Sequence, residues 1–598
     1  MNQKQSFLEA DEQDDKNIKK NALSDVKSFK YLLKFAAPYK FQFIFSIAAM
    51  MMSSFFTLSS ARLMGSFVED GLLARSYKES AFYAIAIVSV SALSFLFMWL
   101  GRKLLTKYSS LAILDIRKVL FQHLQVLPIF FYDTQPQGRV VTRVTHDVEG
   151  IEQFFTSTLG RLVSALFLTT MSISAMLLTN FWLGLALVGS VFPAIIFIYF
   201  TRNIVRNVNR RMSKDSSALN SKLSEFINGL SVIRSFGLEE WSNDEYEVAV
   251  STHERSQLDA NFLYGWSRPL ISFLCTTPII LLVWFGGKEV LAGTMGVGVF
   301  VAFVRYCERF FNPIMTLARE VHVIQQAFTS AERVVSFLKH KPEESVLGIN
   351  GLIKDEHTMQ GRIDFDNVWM SYNEEDWILK GLNFSIKAGD KIGLVGRTGC
   401  GKSTTVNLIS RLYEFQKGDI LVDGVSIRLF NREYLRSMIG FVAQDPVLFR
   451  GSFAQNLSPM KNVSKEEILY QCDTTGLSKI MHKNGFTLDT EIFEGGSNLS
   501  VGERQLVALT RILINNPKIL ILDEATANID PAYEKIIHEA INKVMVGRTC
   551  LMIAHRLATI EHCDRIFVFD EGRLVEEGSR EELFNLKGYF HNLHTAQF

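Results

Sequence analysis

The first 340 residues alternate long apolar runs with polar segments that have a helical pattern. Uncharged stretches cover 41–61, 80–101, 162–201 and 269–287, and a shorter one covers 291–304. A helix needs about 20 mainly apolar residues to cross a bilayer, so most of these stretches are long enough to do so. The stretch 162–201 is too long for one span, and we expect a break near Asn180 to divide it into a hairpin. The pattern predicts six spans, the last continuing into the cytosol as a long helix.

Basic residues concentrate in two of the connections between the predicted spans. One set lies between spans 2 and 3 and the other between spans 4 and 5: Arg102, Lys103, Lys107, Arg117, Lys118, Arg139 and Arg143, then Arg202, Arg206, Arg210, Arg211, Lys214 and Lys222. Lysine and arginine are enriched in cytoplasmic loops, so both connections and the N-terminus are predicted to be cytosolic. We expect an integral, multi-pass protein of a bacterial inner membrane.

Three regions follow from this patterning. Residues 1–26 are polar, mixed in charge and without the apolar core of a signal peptide, which predicts a disordered cytosolic tail. Residues 27–340 form the predicted membrane domain, which opens with a basic amphipathic helix at the interface. Polar residues with prolines and glycines follow position 341. From Gly361 onward short β-rich runs alternate with helical patterns, so 341–598 is predicted to be an α/β domain.

The composition supports a membrane protein. Hydrophobic residues make up 48% of the 598 residues, including 47 phenylalanines, which is too apolar for a soluble enzyme of this size. The formal net charge of +1 gives no sign of a nucleic-acid partner. The six cysteines are scattered without a C-x-x-C pair, so we expect reduced thiols and neither a disulfide framework nor a zinc site.

A glycine-rich stretch in the second half carries the candidate chemistry. It fits G-x-x-x-x-G-K-[ST] and follows a predicted strand and precedes a predicted helix; its members, here called the phosphate loop, are Gly396, Arg397, Thr398, Gly399, Cys400, Gly401, Lys402, Ser403 and Thr404. Backbone N–H groups of such a loop surround phosphates, Lys402 reaches the β- and γ-phosphates, and Ser403 offers its hydroxyl to Mg²⁺. The alternative is a glycine-rich surface turn.

Two further segments extend this prediction. The apolar run 518–522 ends in Asp523 and Glu524. We expect Asp523 to hold Mg²⁺ through water and Glu524 to act as the general base on the attacking water. The segment 499–505, here called the signature segment, places Ser500 and Gly502 at a helix start, a second phosphate-binding terminus. If the two phosphate sites lie far apart on one domain, two domains facing head to tail are needed to close on one ATP.

The second half resembles the nucleotide-binding domain of ABC transporters, and the whole chain resembles an exporter half-transporter. The resemblance implies an all-α six-helix membrane domain followed by an α/β P-loop ATPase domain. It assigns Tyr372 to stacking on adenine, Gln444 to sensing Mg²⁺, Asp530 to contacts across a dimer and His555 to the γ-phosphate. The implied catalytic set is Glu524, His555, Gln444 and Lys402, and the implied Mg²⁺ set is Ser403, Gln444 and Asp523.

The membrane half matches exporters in its two cytosolic loops, through 130–148 and 227–236. The resemblance places coupling helices near residues 128–138 and 210–220. One departure concerns the signature segment, in which Val501 replaces the first glycine and Glu503 the glutamine of the usual L-S-G-G-Q. A carboxylate near the nucleotide could weaken closure, so the partner could be either a second copy or a related chain.

Three arginines in or beside the predicted spans suggest a substrate cavity, because charge within a membrane helix is costly. These are Arg161, Arg305 and Arg309, and they favour an anionic headgroup slightly. The alternative is that the sixth span has already reached the interface, where arginine side chains snorkel.

The function expected from this resemblance is ATP-driven export, or leaflet flipping, of an amphipathic, hydrophobic or lipid substrate by alternating access in a dimer, with ATP and Mg²⁺ as cofactors. The alternatives within the family are one subunit of a heterodimeric multidrug exporter and a lipid floppase. The six spans argue against a soluble nucleic-acid-acting relative, the two long loops against an importer, and Glu524 against a gated channel.

Overall fold

The structure, a computed structural model, describes residues 22–343, 359–373, 376–459, 463–523, 531–553, 560 and 563–597. The chain forms two compact units. The first contains the residues up to Gln122 together with Gly138–Lys339, and the second contains His123–Gln137 together with His340–Phe598. The boundary between Lys339 and His340 lies beside the predicted linker. The segment His123–Gln137, which the sequence placed in the membrane domain, belongs to the second unit.

Long helices build the first unit. Its α-helices are Ala22–Ala36, Lys40–Ser66, Tyr77–Gln122 (the start of Tyr77–Gln125), Gly138–Val144 (the end of Gln137–Val144), His146–Gln153, Leu159–Thr179, Phe181–Gly189, Phe192–Asn228, Leu230–Phe236, Glu239–Leu281, Gly287–Leu291 and Val297–Leu338, with π-helical turns at Phe67–Leu73, Phe154–Thr158 and Leu282–Gly286. Helix Tyr77–Gln125 has 49 residues. At 1.5 Å per residue it is roughly 70 Å long, more than twice the hydrocarbon thickness of a bilayer.

Five of the helical segments described are long and apolar enough to cross a membrane: Ser28–Leu73, Tyr77–Gln125, Gln137–Thr179, Phe181–Asn228 and Glu239–Leu291. They contain the first five predicted spans. The predicted sixth span lies in the continuous helix Val297–Leu338, which is not one of these five. The charged residues Arg305, Glu308 and Arg309 lower its apolar character.

The predicted break in the apolar stretch 162–201 falls at Asn180. Helix Leu159–Thr179 ends there, and the Asn180 backbone is extended, with φ −149° and ψ 107°. Its side-chain oxygen accepts a hydrogen bond of 3.1 Å from the Leu183 N–H and caps the next helix. Asparagine is a favoured N-cap because its side chain satisfies one of the N–H groups left free at a helix start.

Of the two expected coupling helices, the first has a counterpart, Ile129–Thr134. The second prediction is wrong in position, because 210–220 lies inside the continuous helix Phe192–Asn228. The chain turns later, around the short helix Leu230–Phe236, which ends at Gly237 with φ 63°. A left-handed backbone at that place is readily adopted by glycine and ends the helix.

The second unit is built on three sheets. Its strands are β1 Ile363–Ser371, β2 Trp377–Ile386, β3 Lys391–Gly396, β4 Lys417–Val422, β5 Val425–Ser426, β6 Ile439–Val442, β7 Gly451–Ser452, β8 Glu491–Ile492, β9 Ile519–Asp523, β10 Thr549–Ile553, β11 Arg565–Asp570 and β12 Arg573–Gly578. The central sheet has the order β12-β11-β3-β10-β9-β6 and is parallel except at β12. The order β2-β1-β4-β5 forms an antiparallel sheet, and β7 pairs with β8.

Helices cover the central sheet, as parallel sheets require. Besides Ile129–Thr134, the α-helices of this unit are Lys402–Ile409, Arg432–Ser437, Phe453–Leu457, Lys465–Thr475, Leu477–Asn484, Val501–Asn515, Pro531–Met545, Arg580–Leu586 and Tyr589–Gln597. The central strands β9 and β10 are apolar except for Asp523 at the end of β9 and Thr549 at the start of β10. Ile519, Leu520, Ile521 and Leu551 have no exposed surface. The sheet is therefore a rigid base for the loops at its ends.

Segment His123–Gln137 joins the second unit through specific contacts. The Phe131 ring lies 5.0 Å from the His340 ring, and the Glu343 N–H donates to the Val126 carbonyl at 2.6 Å. Glu343 also pairs with Arg436 at 2.6 Å. These contacts place the helix Ile129–Thr134 against the α/β part of the second unit.

Two glycines allow close contact between helices Lys40–Ser66 and Val297–Leu338. A Cβ added to Gly65 would lie 2.5 Å from the Gly298 carbonyl oxygen and 3.1 Å from the Ala302 Cβ. A Cβ on Gly298 would overlap the Gly65 carbonyl oxygen. Neither backbone can yield without separating the helices, so this crossing requires both glycines.

We predict that Gly298→Ala lowers the thermal unfolding temperature of the purified protein, because overpacking a tight contact costs about 1–3 kcal/mol. Gly287→Ala is the matched control, since a Cβ there meets nothing within 4 Å. Thermal unfolding followed by tryptophan fluorescence in detergent measures both. Equal unfolding temperatures for the two variants would contradict the tight crossing.

Candidate functional site

The phosphate loop connects β3 to the helix Lys402–Ile409, as predicted. Gly396, Gly399 and Gly401 have positive φ values of 154°, 85° and 109°. Side chains with a Cβ rarely adopt this backbone, so glycine is needed for the loop to curl. At Gly401 space adds a second reason, because a Cβ would lie 2.7 Å from the Leu379 Cδ2.

Lys402 is held within this curl. Its side chain is 5% exposed, and its Nζ donates to the carbonyl oxygens of Gly396 at 2.7 Å and Arg397 at 3.0 Å. The Cys400 Sγ lies 3.7 Å from the same ammonium. The loop therefore positions a positive charge beside its own backbone, at the N-terminus of a helix, where an anion is favoured.

The two hydroxyls that follow differ in exposure. Ser403 is exposed in the first turn of the helix, whereas Thr404 is buried. The Thr404 Oγ1 lies 3.1 Å from the Tyr372 hydroxyl. Ser403 is thus available to a ligand. Thr404 hydrogen-bonds the start of the helix to Tyr372, the residue expected to stack on adenine.

The parallel sheet aligns the remaining predicted ligands at one edge. In the register, Ile553 of β10 is opposite both Leu394 of β3 and Asp523 of β9. Gln444 follows the end of β6, in which Val442 is opposite Leu522. The carboxyl ends of these parallel strands, which include the start of the phosphate loop, therefore share an edge.

Hydroxyl, carboxylate and amide oxygens are the ligands that Mg²⁺ takes in proteins. Ser403 and Gln444 are exposed, Asp523 is half-buried, and all three supply oxygen atoms. The Gln444 backbone is itself fixed, because its carbonyl accepts a hydrogen bond of 2.8 Å from the Gln505 side chain. The residue types present at this edge fit a Mg²⁺ ion bound with a nucleotide.

Three predicted site residues, Glu524, Asp530 and His555, lie outside the described residues. Glu524 follows the last residue of β9, and His555 comes two positions after the end of β10. Their assigned roles stay predictions.

Tyr372 follows the end of β1 and is 37% exposed. The Tyr413 ring packs edge-on against it, with centroids 4.9 Å apart and planes at 86°. The Tyr413 hydroxyl donates to the Asp133 carboxylate of the helix Ile129–Thr134. A continuous series of contacts therefore runs from Asp133 through the rings of Tyr413 and Tyr372 to the Thr404 hydroxyl.

Burial raises the pKa of the Asp133 carboxyl above its usual value. The hydrogen bond from Tyr413 gives this partly desolvated group a donor. The sequence placed Asp133 in the first cytosolic loop but did not indicate its contact with Tyr413, since the two residues are 280 positions apart and no local pattern joins them.

The signature segment begins the helix Val501–Asn515 with a capping box. The Ser500 hydroxyl accepts from the Glu503 N–H at 3.3 Å, and the Glu503 carboxylate accepts from the Ser500 N–H at 2.8 Å. The same carboxylate accepts from the side chains of Asn484 at 2.7 Å and Tyr533 at 3.3 Å. Glu503 is 6% exposed, so its charge is turned into the domain.

This arrangement gives Glu503 a structural role that the sequence analysis did not consider. The spacing S-x-x-E is the sequence pattern of a capping box and would have indicated it. Gly502 adds to the same contact, because a Cβ there would lie 3.0 Å from the Tyr533 Cβ. Ser500 is exposed and Val501 partly exposed, so these two side chains are the ones available to a partner.

The three arginines of the predicted substrate cavity have different surroundings. Arg161 pairs with Glu320 through its Nε at 2.7 Å and its NH2 group at 3.1 Å. Arg305 pairs with Glu308 at 3.1 Å, and Arg309 is exposed. A cavity of about 700 Å³ lies in the first unit, and within the described part of the chain its lining includes none of these three. Their assignment to substrate binding stays a prediction.

Comparison with known proteins agrees with this geometry. Residues 41–314 match the family described as the ABC transporter transmembrane region, and residues 379–527 match the family described as ABC transporter. The chain is 35% identical to the probable multidrug resistance ABC transporter ATP-binding/permease protein YheH of Bacillus subtilis, over 84% of this chain and 74% of that protein.

The chain belongs to the ABC transporter family. It is also 30% identical to the ATP-dependent lipid A-core flippase of Syntrophus aciditrophicus, over 95% of this chain and 94% of that protein. A solved bacterial Atm1-family ABC exporter with ATP bound is similar to it with a TM-score of 0.75 and 25% identity, covering 94% and 99% of the two chains. This ABC transporter has the exporter half-transporter organisation, with a helical membrane domain followed by an ATP-binding, ATP-hydrolysing domain.

We predict that Tyr413→Ala raises the KM for ATP up to about tenfold, because an aromatic pair contributes roughly 0.5–1.5 kcal/mol and Tyr372 would lose its support. Tyr413→Phe keeps the ring but loses the bond to Asp133, so its KM for ATP should stay close to the wild-type value. Tyr470→Phe, at a side chain 67% exposed, is the control. Steady-state ATPase assays in nanodiscs measure all three, and an unchanged KM in Tyr413→Ala would refute the support role.

We predict that Glu503→Ala destabilises the ATPase domain, because it removes the acceptor of three donors, two of them on side chains, at a cost of about 2–4 kcal/mol. Glu503→Gln restores the family residue and keeps one acceptor oxygen, so it should lose less. Exposed Glu494→Ala is the control. Thermal unfolding monitors the series, and the hypothesis fails if Glu503→Ala unfolds at the same temperature as Glu494→Ala.

Proposed function

We propose that this chain is one subunit of a dimer that uses ATP to export an amphipathic, hydrophobic or lipid substrate. The observation that carries the proposal is the contact series from Asp133 through Tyr413 to Tyr372. The segment containing Asp133 lies between the second and third spans along the chain. A displacement of Tyr372 on adenine binding therefore displaces Tyr413 and Asp133, and with Asp133 the connection between two membrane helices.

The proposed cycle begins when ATP binds the phosphate loop. Lys402 and the loop N–H groups hold the phosphates. Ser403, Gln444 and Asp523 would hold Mg²⁺, which would supply neutralisation of the charge on the transferred γ-phosphoryl group. The signature segment of a partner subunit, with its exposed serine, completes the site. Closure of two such sites moves the membrane halves from inward-facing to outward-facing.

Glu524 then acts as general base on the attacking water, and His555 contacts the γ-phosphate. Hydrolysis separates the domains and resets the transporter.

The ATPase domains and the N-terminus lie in the cytosol of a bacterial cell, and the spans lie in its inner membrane. The basic residues in the connections after spans 2 and 4 support this orientation.

The partner is either a second copy or a related chain. Val501 favours the related chain as a second candidate, because a branched side chain stands where the family has glycine beside the phosphates. Multi-angle light scattering of the chain expressed alone separates the two. A stable, ATP-hydrolysing homodimer would exclude an obligate second subunit.

We predict that Glu524→Gln lowers ATP hydrolysis and ATP-dependent export at least about 100-fold, the usual contribution of a general base. Glu534→Gln, an exposed glutamate on the following helix, is the matched control and should keep wild-type rates. Phosphate release and substrate uptake into inverted proteoliposomes measure the two activities. Steady-state hydrolysis by a Glu524→Gln homodimer at the control rate would disprove the catalytic assignment.

A further inference from the structure

The cavity in the first unit lies between three helices, Lys40–Ser66, Leu159–Thr179 and Val297–Leu338, and the turn Phe67–Leu73. Its volume of about 700 Å³ falls within the range of small-molecule sites, about 300–1,000 Å³. With the N-terminus cytosolic, the cavity lies toward the outer ends of spans 1, 3 and 6. It is large enough for the body of an organic molecule.

Apolar side chains make up part of the cavity lining, here called the apolar wall. They are Phe55, Leu58, Met171, Leu178, Val299 and Tyr306. Aromatic and aliphatic side chains of this kind bind a hydrophobic body without fixing its orientation. Orientation and charge preference must therefore come from the polar end.

Three charged side chains also line the cavity and are here called its polar end: Arg62, Glu69 and Asp70. Asp70 accepts a hydrogen bond of 3.0 Å from the Tyr83 hydroxyl. Within the described part of the chain, no hydrogen bond or ion pair is found for the side chains of Arg62 and Glu69. Two carboxylates against one guanidinium leave the polar end with a formal charge of −1.

Glycine makes room for the Glu69 carboxylate. A Cβ on Gly298 would lie 2.7 Å from a Glu69 carboxylate oxygen, and a Cβ on Gly296 would overlap the same group. The carboxylate thus occupies space beside the first turn of helix Val297–Leu338 that any other residue would fill. The position of this charge is set by the backbones of two helices.

Two other ionisable groups near the spans have partners of opposite charge. Arg161 is held by Glu320 and Arg305 by Glu308. A charge in a membrane domain is costly and usually pairs or serves a ligand or ion pathway. The excess carboxylate of the cavity is therefore a charge that a bound ligand can neutralise.

We propose that this cavity is the substrate site of the exporter and that it selects amphipathic cations, with Glu69 and Asp70 facing the cationic group and the apolar wall holding the body. The inference rests on the proposed export function. It reverses the slight preference for anionic headgroups that the three arginines gave in the sequence.

The test compares two probes of the same shape and opposite charge, tetraphenylphosphonium and tetraphenylborate. Equilibrium binding of each is measured without ATP on the full-length protein in nanodiscs of neutral lipid. The double variant Glu69→Gln with Asp70→Asn keeps the side-chain shapes and leaves Tyr83 an acceptor. Glu79→Gln, an exposed acid at the same end of the first unit and outside the cavity, is the control.

Binding to protein-free nanodiscs is subtracted, because the dipole potential of the bilayer itself favours the hydrophobic anion. After that subtraction, wild type and Glu79→Gln should bind tetraphenylphosphonium more tightly than tetraphenylborate. The double variant should bind the phosphonium at least about tenfold more weakly, with binding of the borate unchanged or stronger. The proposal is overturned if the wild type does not prefer the cation, or if the double variant and the control bind it equally.

ATP-dependent uptake of tetraphenylphosphonium into inverted proteoliposomes separates this inference from the proposed function. Charge-dependent binding without ATP-dependent uptake would uphold the cation site and count against export through it. Uptake by the wild type that the double variant retains at an unchanged half-saturating concentration would uphold export and refute the site.

Discussion

The alignment of parallel strands is the constraint on which the nucleotide-binding edge depends. Strands β3, β10, β9 and β6 run in the same direction, so the phosphate loop, Asp523 and Gln444 begin where their strands end. Apolar strands buried on both faces keep that register, since a shift would move carboxylates into the core. The chemistry of the edge is thereby fixed by residues that never contact a ligand.

Much of this could be predicted from the sequence, because the signals are local. Glycine spacing identified the phosphate loop, the apolar run before Asp523 identified β9, and Asn180 marked the break between two spans. Comparison with known proteins confirmed the exporter fold. The continuous helix through 210–220 was missed, since a polar helix and a turn with helical flanks share the same periodicity.

The features that escaped prediction depend on contacts between distant residues. Glu320 is 159 positions from Arg161, and their pairing gives that arginine a partner that the charge pattern did not suggest. Glu503 was interpreted as a charge near the nucleotide, although its carboxylate turns inward to Asn484 and Tyr533. Direction of a side chain follows from its neighbours in space, which residue identity alone does not specify.

The second unit is discontinuous in sequence, because His123–Gln137 belongs to it. An ATPase domain cut from the chain after the last span would lack Asp133, the partner of Tyr413, and Val126, the acceptor of the Glu343 N–H. It would also expose the side of the His340 ring that Phe131 covers. Likewise, a chimaera that exchanges ATPase domains between relatives at the linker separates residues that are in contact in this chain. A transferable ATPase domain must therefore include the 15 residues His123–Gln137, which lie within the membrane half of the sequence.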